Sequence, residues 1–119
     1  LSGKFTRDSQ FEKDELRYSY FGGERLSQLV TRTDALKELL GDQASSLSEL
    51  ALRYILSFDE ISSVIPGMRK VAHVDLNTAI SDGKKLPEEL LSELKKHAWE
   101  RNFYGGSDPA MKDENYIEQ

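Results

Sequence analysis

The chain has 119 residues, of which 38% are hydrophobic and 31% charged, and its formal net charge is −5; that is the length of one domain with a modest core. The acidic balance excludes a general nucleic-acid binder, whose footprint is a basic stripe. There is no cysteine, which excludes disulfides and thiolate metal sites and fits a cytoplasmic protein; Leu1-Ser2-Gly3-Lys4-Phe5 does not read as a signal peptide, because no apolar stretch follows the charge, and no apolar run in the sequence nears the roughly 20 residues that cross a bilayer.

Residues 1–23 are charged and aromatic, lack a sustained period and close on Phe21-Gly22-Gly23; they read as a long irregular loop, a kind of segment that is usually functional or mobile. Residues 24–40 carry Leu26, Leu29, Val30, Thr33, Leu36, Leu39 and Leu40 at helical spacing, with Gly41 as the stop. Ser46 followed by Glu49 forms the pattern of a capping box, and Leu47, Leu50, Ala51, Tyr54, Ile55 and Phe58 continue the helix behind it.

Residues 61–65, Ile-Ser-Ser-Val-Ile, predict a short strand, and the apolar pair Val64-Ile65 suits burial on both faces of a parallel sheet. One strand cannot form a sheet, because its backbone groups would go unpaired. The segment must therefore pair with another chain or belong to a larger sheet. Pro66-Gly67 ends it, and Met68-Arg69-Lys70 leads into a helix of two or three turns through Val71, Val74, Ala79 and Ile80. Glycine and cations between a strand and a helix N-terminus are a suitable cradle for an anion, phosphate above all; the plain alternative is a turn with solvated cations. Ser81-Asp82-Gly83 breaks that helix. Pro87 at a first helical position, backed by Glu88 and Glu89, opens a last helix with Leu90, Leu91, Leu94 and Ala98 on its apolar face. Trp99, Phe103 and Tyr104 follow, and residues 105–119 form a polar, acidic tail expected to be mobile or held by contacts.

Five segments, in order, resemble the C-terminal third of an aldo-keto reductase, an NADP-dependent oxidoreductase on a (β/α)8 TIM barrel. Leu1-Ser2-Gly3-Lys4-Phe5 is similar to the L-[ST]-G-K-[YF] stretch after strand seven, and FEKDELR at residues 11–17 to the F-x-x-D-D-x-R of the next loop. SELALRYIL at residues 48–56 resembles the helix S-x-x-x-L-A-L-x-W-x-L, with Tyr54 in place of Trp. Val64-Ile65-Pro66-Gly67 resembles the end of strand eight, and residues 73–77 lie where the family has Q-L-x-E-N. The resemblance implies a mostly α chain with one short strand, a C-terminal fragment of an α/β (β/α)8 barrel over residues 1–104.

The same resemblance implies one side of a cofactor site and no catalytic residue, since the family's catalytic Asp, Tyr, Lys and His lie upstream. Gly3 and Lys4 match positions beside the pyrophosphate, and Arg17 a loop cation folded over the cofactor. Gly67, Met68 and Arg69 match the loop around the adenosine 2′-phosphate, and Asn77 the asparagine that binds adenine. His73 stands where the family has Gln or Arg, and Leu76 replaces a glutamate, two departures that leave NAD as an alternative, while Arg69 and Lys70 favour the extra phosphate and make NADP the expected cofactor. The expected activity of the complete enzyme is reduction of a small carbonyl substrate to an alcohol; the chain alone is expected to be inactive. It is also expected to self-associate or to pair with the missing barrel half, through surfaces the barrel would cover.

Other residues have plainer readings. His73 has no second His, Cys or Asp at ligand spacing, so no metal role is assigned. His97 suits the C-terminal end of the last helix, and Trp99 suits packing. The competing hypothesis is a non-catalytic helical binding or assembly module derived from the same fold.

Overall fold

The computed structural model describes residues 2–99, so the expected polar tail, Phe103 and Tyr104 lie outside the described residues. Among the described residues five helices follow one another: α1 (Leu16–Tyr20), α2 (Arg25–Lys37), α3 (Leu47–Leu56), α4 (Val71–Thr78) and α5 (Glu88–Lys95). Helix α3 is the hub, in contact with both α2 and α4.

Its start is written in the sequence. Ser46 is extended, and its hydroxyl accepts the Glu49 N–H at 3.2 Å. The reciprocal half of the box is displaced by one residue: the Glu49 carboxylate takes the N–H of Ser45 at 3.0 Å and its hydroxyl at 2.7 Å, not the N–H of Ser46. Leucine spacing then turns Leu47 and Leu50 inward. They join Ala44, Leu86 and Leu91 in the core, with Leu36, Leu40, Tyr54, Leu90 and Leu94 packed around it. Leu50, 2% exposed, lies at its centre.

Helix α2 buries Val30 and Thr33 and ends at Lys37, short of the expected residue 40. Leu39 and Leu40 instead bond back to the carbonyls of Leu36 and Lys37, and Gly41 reverses the chain at φ 49°. Pro87 is the N-cap of α5 rather than its first helical residue; its carbonyl accepts the N–H of Leu91. Glu88 and Glu89 occupy the first turn, where the helix dipole favours them. The loop of residues 1–23 contains the short α1 and an aromatic cluster. Phe5 meets Phe11 edge-on at 5.2 Å between centroids and Phe21 at 5.4 Å.

The predicted strand at residues 61–65 does not form, and no strand occurs among the described residues. Ile61 donates to Phe58, after which the next backbone donor is His73 to Lys70. The local β preference is present, but a strand is defined by its ladder, and no second strand lies alongside to complete one.

Candidate functional site

Two clefts divide the residues singled out in the sequence. The first, about 180 Å³, lies between the end of α3, residues 62–68 and the last turn of α4. It is lined by Ser62, Val64, Pro66, Met68, Asn77 and Thr78 among others. Asn77 is half-buried, and its amide reaches the Gly67 carbonyl at 3.5 Å. The fold thus brings Gly67, Met68 and Asn77 together, although Asn77 is ten positions from Gly67 in the chain.

Arg69, Lys70 and His73 are exposed beside this cleft. Lys70 is the N-cap of α4 and cannot cap it through its side chain. Among the described residues neither Arg69 nor Lys70 has a side-chain hydrogen bond or ion pair. The N–H groups of the first turn of α4 lack intrahelical acceptors, as in any helix. A Cβ built on Gly67 would meet nothing within 4 Å. Packing therefore does not require glycine there, and the backbone stands open to an incoming group.

The second cleft, about 350 Å³, is lined by Gly3, Phe5, Tyr20, Phe21, Arg25 and Trp99 among others. Gly3 has φ 65°, and a Cβ there would lie 2.9 Å from Leu47 Cδ1 and 3.1 Å from Lys37 Cε. Gly3 therefore has a structural task against α3. Lys4 is exposed and sits 5.0 Å from the Phe5 ring centroid. Arg17 pairs with Glu15 at 2.9 Å and lies over Phe11 at 5.6 Å. Gly3 thus lines one cleft, while Met68 and Asn77 line the other. Trp99 packs under the Arg32 guanidinium at 4.6 Å.

Two buried cations were not singled out by sequence reasoning. Arg25 is 4% exposed and donates to the carbonyls of Ser19 and Tyr20 at 3.2 and 3.3 Å. A cation in the first turn of a helix opposes the dipole, and that anomaly was the available signal. Arg53 is buried between Glu49 (2.8 Å) and Asp82 (2.9 Å) and also reaches the Lys84 carbonyl. Its guanidinium, with help from the Lys84 N–H, holds the Asp82 carboxyl down at about 2, and the two carboxylates push Arg53 upward in turn. The hydrogen bonds from Ser45 and then Arg53 lower Glu49. The Glu49–Arg53 pair was legible as an i, i+4 spacing; Asp82 was not, because it comes from a separate turn.

No group of three or more side chains able to hold a metal occurs among the described residues. No helix among them is long and apolar enough to cross a membrane.

The family model of the aldo/keto reductase family matches residues 1–98. The chain belongs to that family. It is therefore drawn from a family of oxidoreductases whose members generally use nicotinamide cofactors. No curated protein and no solved structure matches the chain. As a member of the aldo/keto reductase family it carries both clefts, and the order of its five motif-like segments, within or just at the edges of the matched stretch.

Proposed function

We propose that this chain is the C-terminal, cofactor-binding portion of an NADP(H)-dependent aldo-keto reductase barrel that reduces carbonyl compounds to alcohols. The reading is carried by one observation: the open Gly67 backbone is followed directly by Arg69 and Lys70, two exposed cations without a side-chain partner among the described residues, at the start of α4 and beside the cleft that holds Asn77. That donor set fits a phosphate on a nucleotide. Backbone N–H groups and the helix dipole favour the anion, and two cations supply charge-assisted bonds.

Arg69 and Lys70 would hold the 2′-phosphate, Gly67 and Met68 would shape its loop, and Asn77 would face the adenine, with His73 at the rim. Gly3, Lys4 and Arg17 would serve the pyrophosphate side. When bound, the nicotinamide cofactor supplies hydride to the carbonyl carbon. This chain's own residues bind and orient; proton transfer falls to catalytic groups outside it, so the chain by itself is expected to show no turnover. Its partners are then the nicotinamide cofactor, the missing barrel half and, in the complete enzyme, a small carbonyl substrate.

The test is to titrate NADPH and NADH against the complete enzyme and its Arg69→Ala variant by fluorescence. A charge-assisted bond to phosphate is worth about 1.5–3 kcal/mol, so NADPH affinity should fall roughly ten-fold or more while NADH affinity hardly moves. Equal losses for both cofactors would assign Arg69 to structure or to the pyrophosphate. A second reading, a non-catalytic helical module, draws on the core that α3 and α5 close without outside help. Carbonyl reduction by the complete enzyme counts against it.

A further inference from the structure

Asp82-Gly83 is the one Asp-Gly step in the sequence, which has no Asn-Gly step. An aspartate cyclises most readily onto the nitrogen of a following glycine, because no Cβ stands beside that nitrogen. The fold leaves this nucleophile free. Gly83 is exposed in a turn at φ 74°, and a Cβ there would meet nothing within 4 Å. Its N–H bonds no acceptor among the described residues.

The electrophile, by contrast, is held. Arg53 donates from Nη1 to Asp82 Oδ1 at 3.0 Å and from Nη2 to Oδ2 at 2.9 Å, and the Lys84 N–H donates to Oδ1 at 2.9 Å. Arg53 is itself buried and braced by Glu49 at 2.8 Å. The clamp is thus complete within residues 49–84 and draws on no other part of a barrel. Ring closure needs the opposite state. The Gly83 nitrogen bonds to Asp82 Cγ and gives up its proton, and one carboxyl oxygen, protonated beforehand, leaves as water. A bidentate guanidinium keeps that oxygen ionised and fixes its direction. Water then adds to the succinimide. Opening at Cγ restores aspartate. Opening at the Asp82 main-chain carbonyl gives isoaspartate, with its carboxylate on Cα and one more methylene in the backbone. That product shifts the carboxylate away from its place against Arg53 and Lys84, and it lengthens the segment that leads to the buried Leu86.

We propose that Asp82 is a site of succinimide formation and isoaspartate accumulation whose rate is set by opening of the Arg53 clamp. The proposal is independent of the cofactor reading. The test is to incubate the complete protein at neutral pH, folded and in guanidinium chloride, and to follow the tryptic peptide 71–84. Chromatography with mass spectrometry detects the succinimide by its loss of water, and labelling by a protein isoaspartyl methyltransferase counts isoaspartate. Isoaspartate should accumulate at residue 82 in the unfolded chain and roughly ten-fold or more slowly in the folded one. Arg53→Lys keeps the charge but loses the two-pronged grip, so its folded protein should isomerise roughly ten-fold faster than wild type. Should that variant not fold, wild type still decides. The ratio of folded to unfolded rates should match the open fraction given by hydrogen exchange at Lys84, whose N–H is bonded to the same carboxylate. No isoaspartate at residue 82 in the unfolded chain, equal rates folded and unfolded, a folded Arg53→Lys protein no faster than wild type, or a rate ratio that departs from Lys84 exchange each overturns the proposal.

Discussion

The hydroxyl of Ser57 accepts the backbone N–H of Leu86 at 2.9 Å and donates to the Arg53 carbonyl at 2.7 Å. Both residues are buried. One side chain thus closes the end of α3 and fixes the segment that delivers Leu86 and α5 to the core. Ser57→Ala leaves the Leu86 N–H buried without an acceptor, which should cost about 1–3 kcal/mol. Urea unfolding gives the value, and an unchanged midpoint would show that this bond does not hold α5 in place.

Ser46 and Ser45 should behave differently. Ser46 supplies the cap to the Glu49 N–H, so Ser46→Ala should lose about 1 kcal/mol. At Ser45 the exposed hydroxyl is only one of two donors to Glu49, and the backbone N–H survives substitution. Ser45→Ala should therefore lie within about 0.5 kcal/mol of wild type. Thermal unfolding of the two variants side by side checks the order; a larger loss at Ser45 would reverse the assignment of the cap.

The Arg53 cluster sets an acid limit. Asp82 titrates near 3.8 when free and at about 2 in the fold. Because the folded value is the lower one, the unfolded chain binds the proton first. The contribution is complete above about pH 4 and is lost as pH falls toward 2. Glu49 is lowered in the same sense from 4.5. Stability followed by circular dichroism should fall steeply in this window. Asp82→Asn should lower stability at neutral pH and flatten the acid slope; a parallel slope would remove Asp82 from the account.

Gly3 and Gly67 make opposite predictions for the same change. Gly3→Ala forces a side chain into a left-handed conformation and against Leu47, so it should destabilise by about 1–2 kcal/mol. Gly67→Ala meets only open space and should stay within about 0.5 kcal/mol of wild type. Calorimetry distinguishes them, and comparable losses at both positions would mean that the Gly67 loop is packed in solution.

Local signals set by neighbours in sequence determined much of this protein. The Ser46 cap and leucine spacing located α3, Glu88 and Glu89 located the start of α5, and Gly41 and Gly83, with positive φ of 49° and 74°, marked reversals. The turn from Pro66 to Lys70 into α4 was legible because proline, glycine and a helix start are adjacent in the chain. Tertiary structure decided what depends on distant partners. Residues 61–65 have the composition of a strand, but a ladder needs a second strand and none lies beside them. Arg25 and Arg53 look like surface cations in sequence, yet they are buried because carbonyls and carboxylates from other turns reach them. Asn77 meets Gly67 only because α4 folds back over the preceding loop. Helix caps and spacing act over three or four residues, whereas ladders and buried charges are settled by whatever the rest of the fold places beside them.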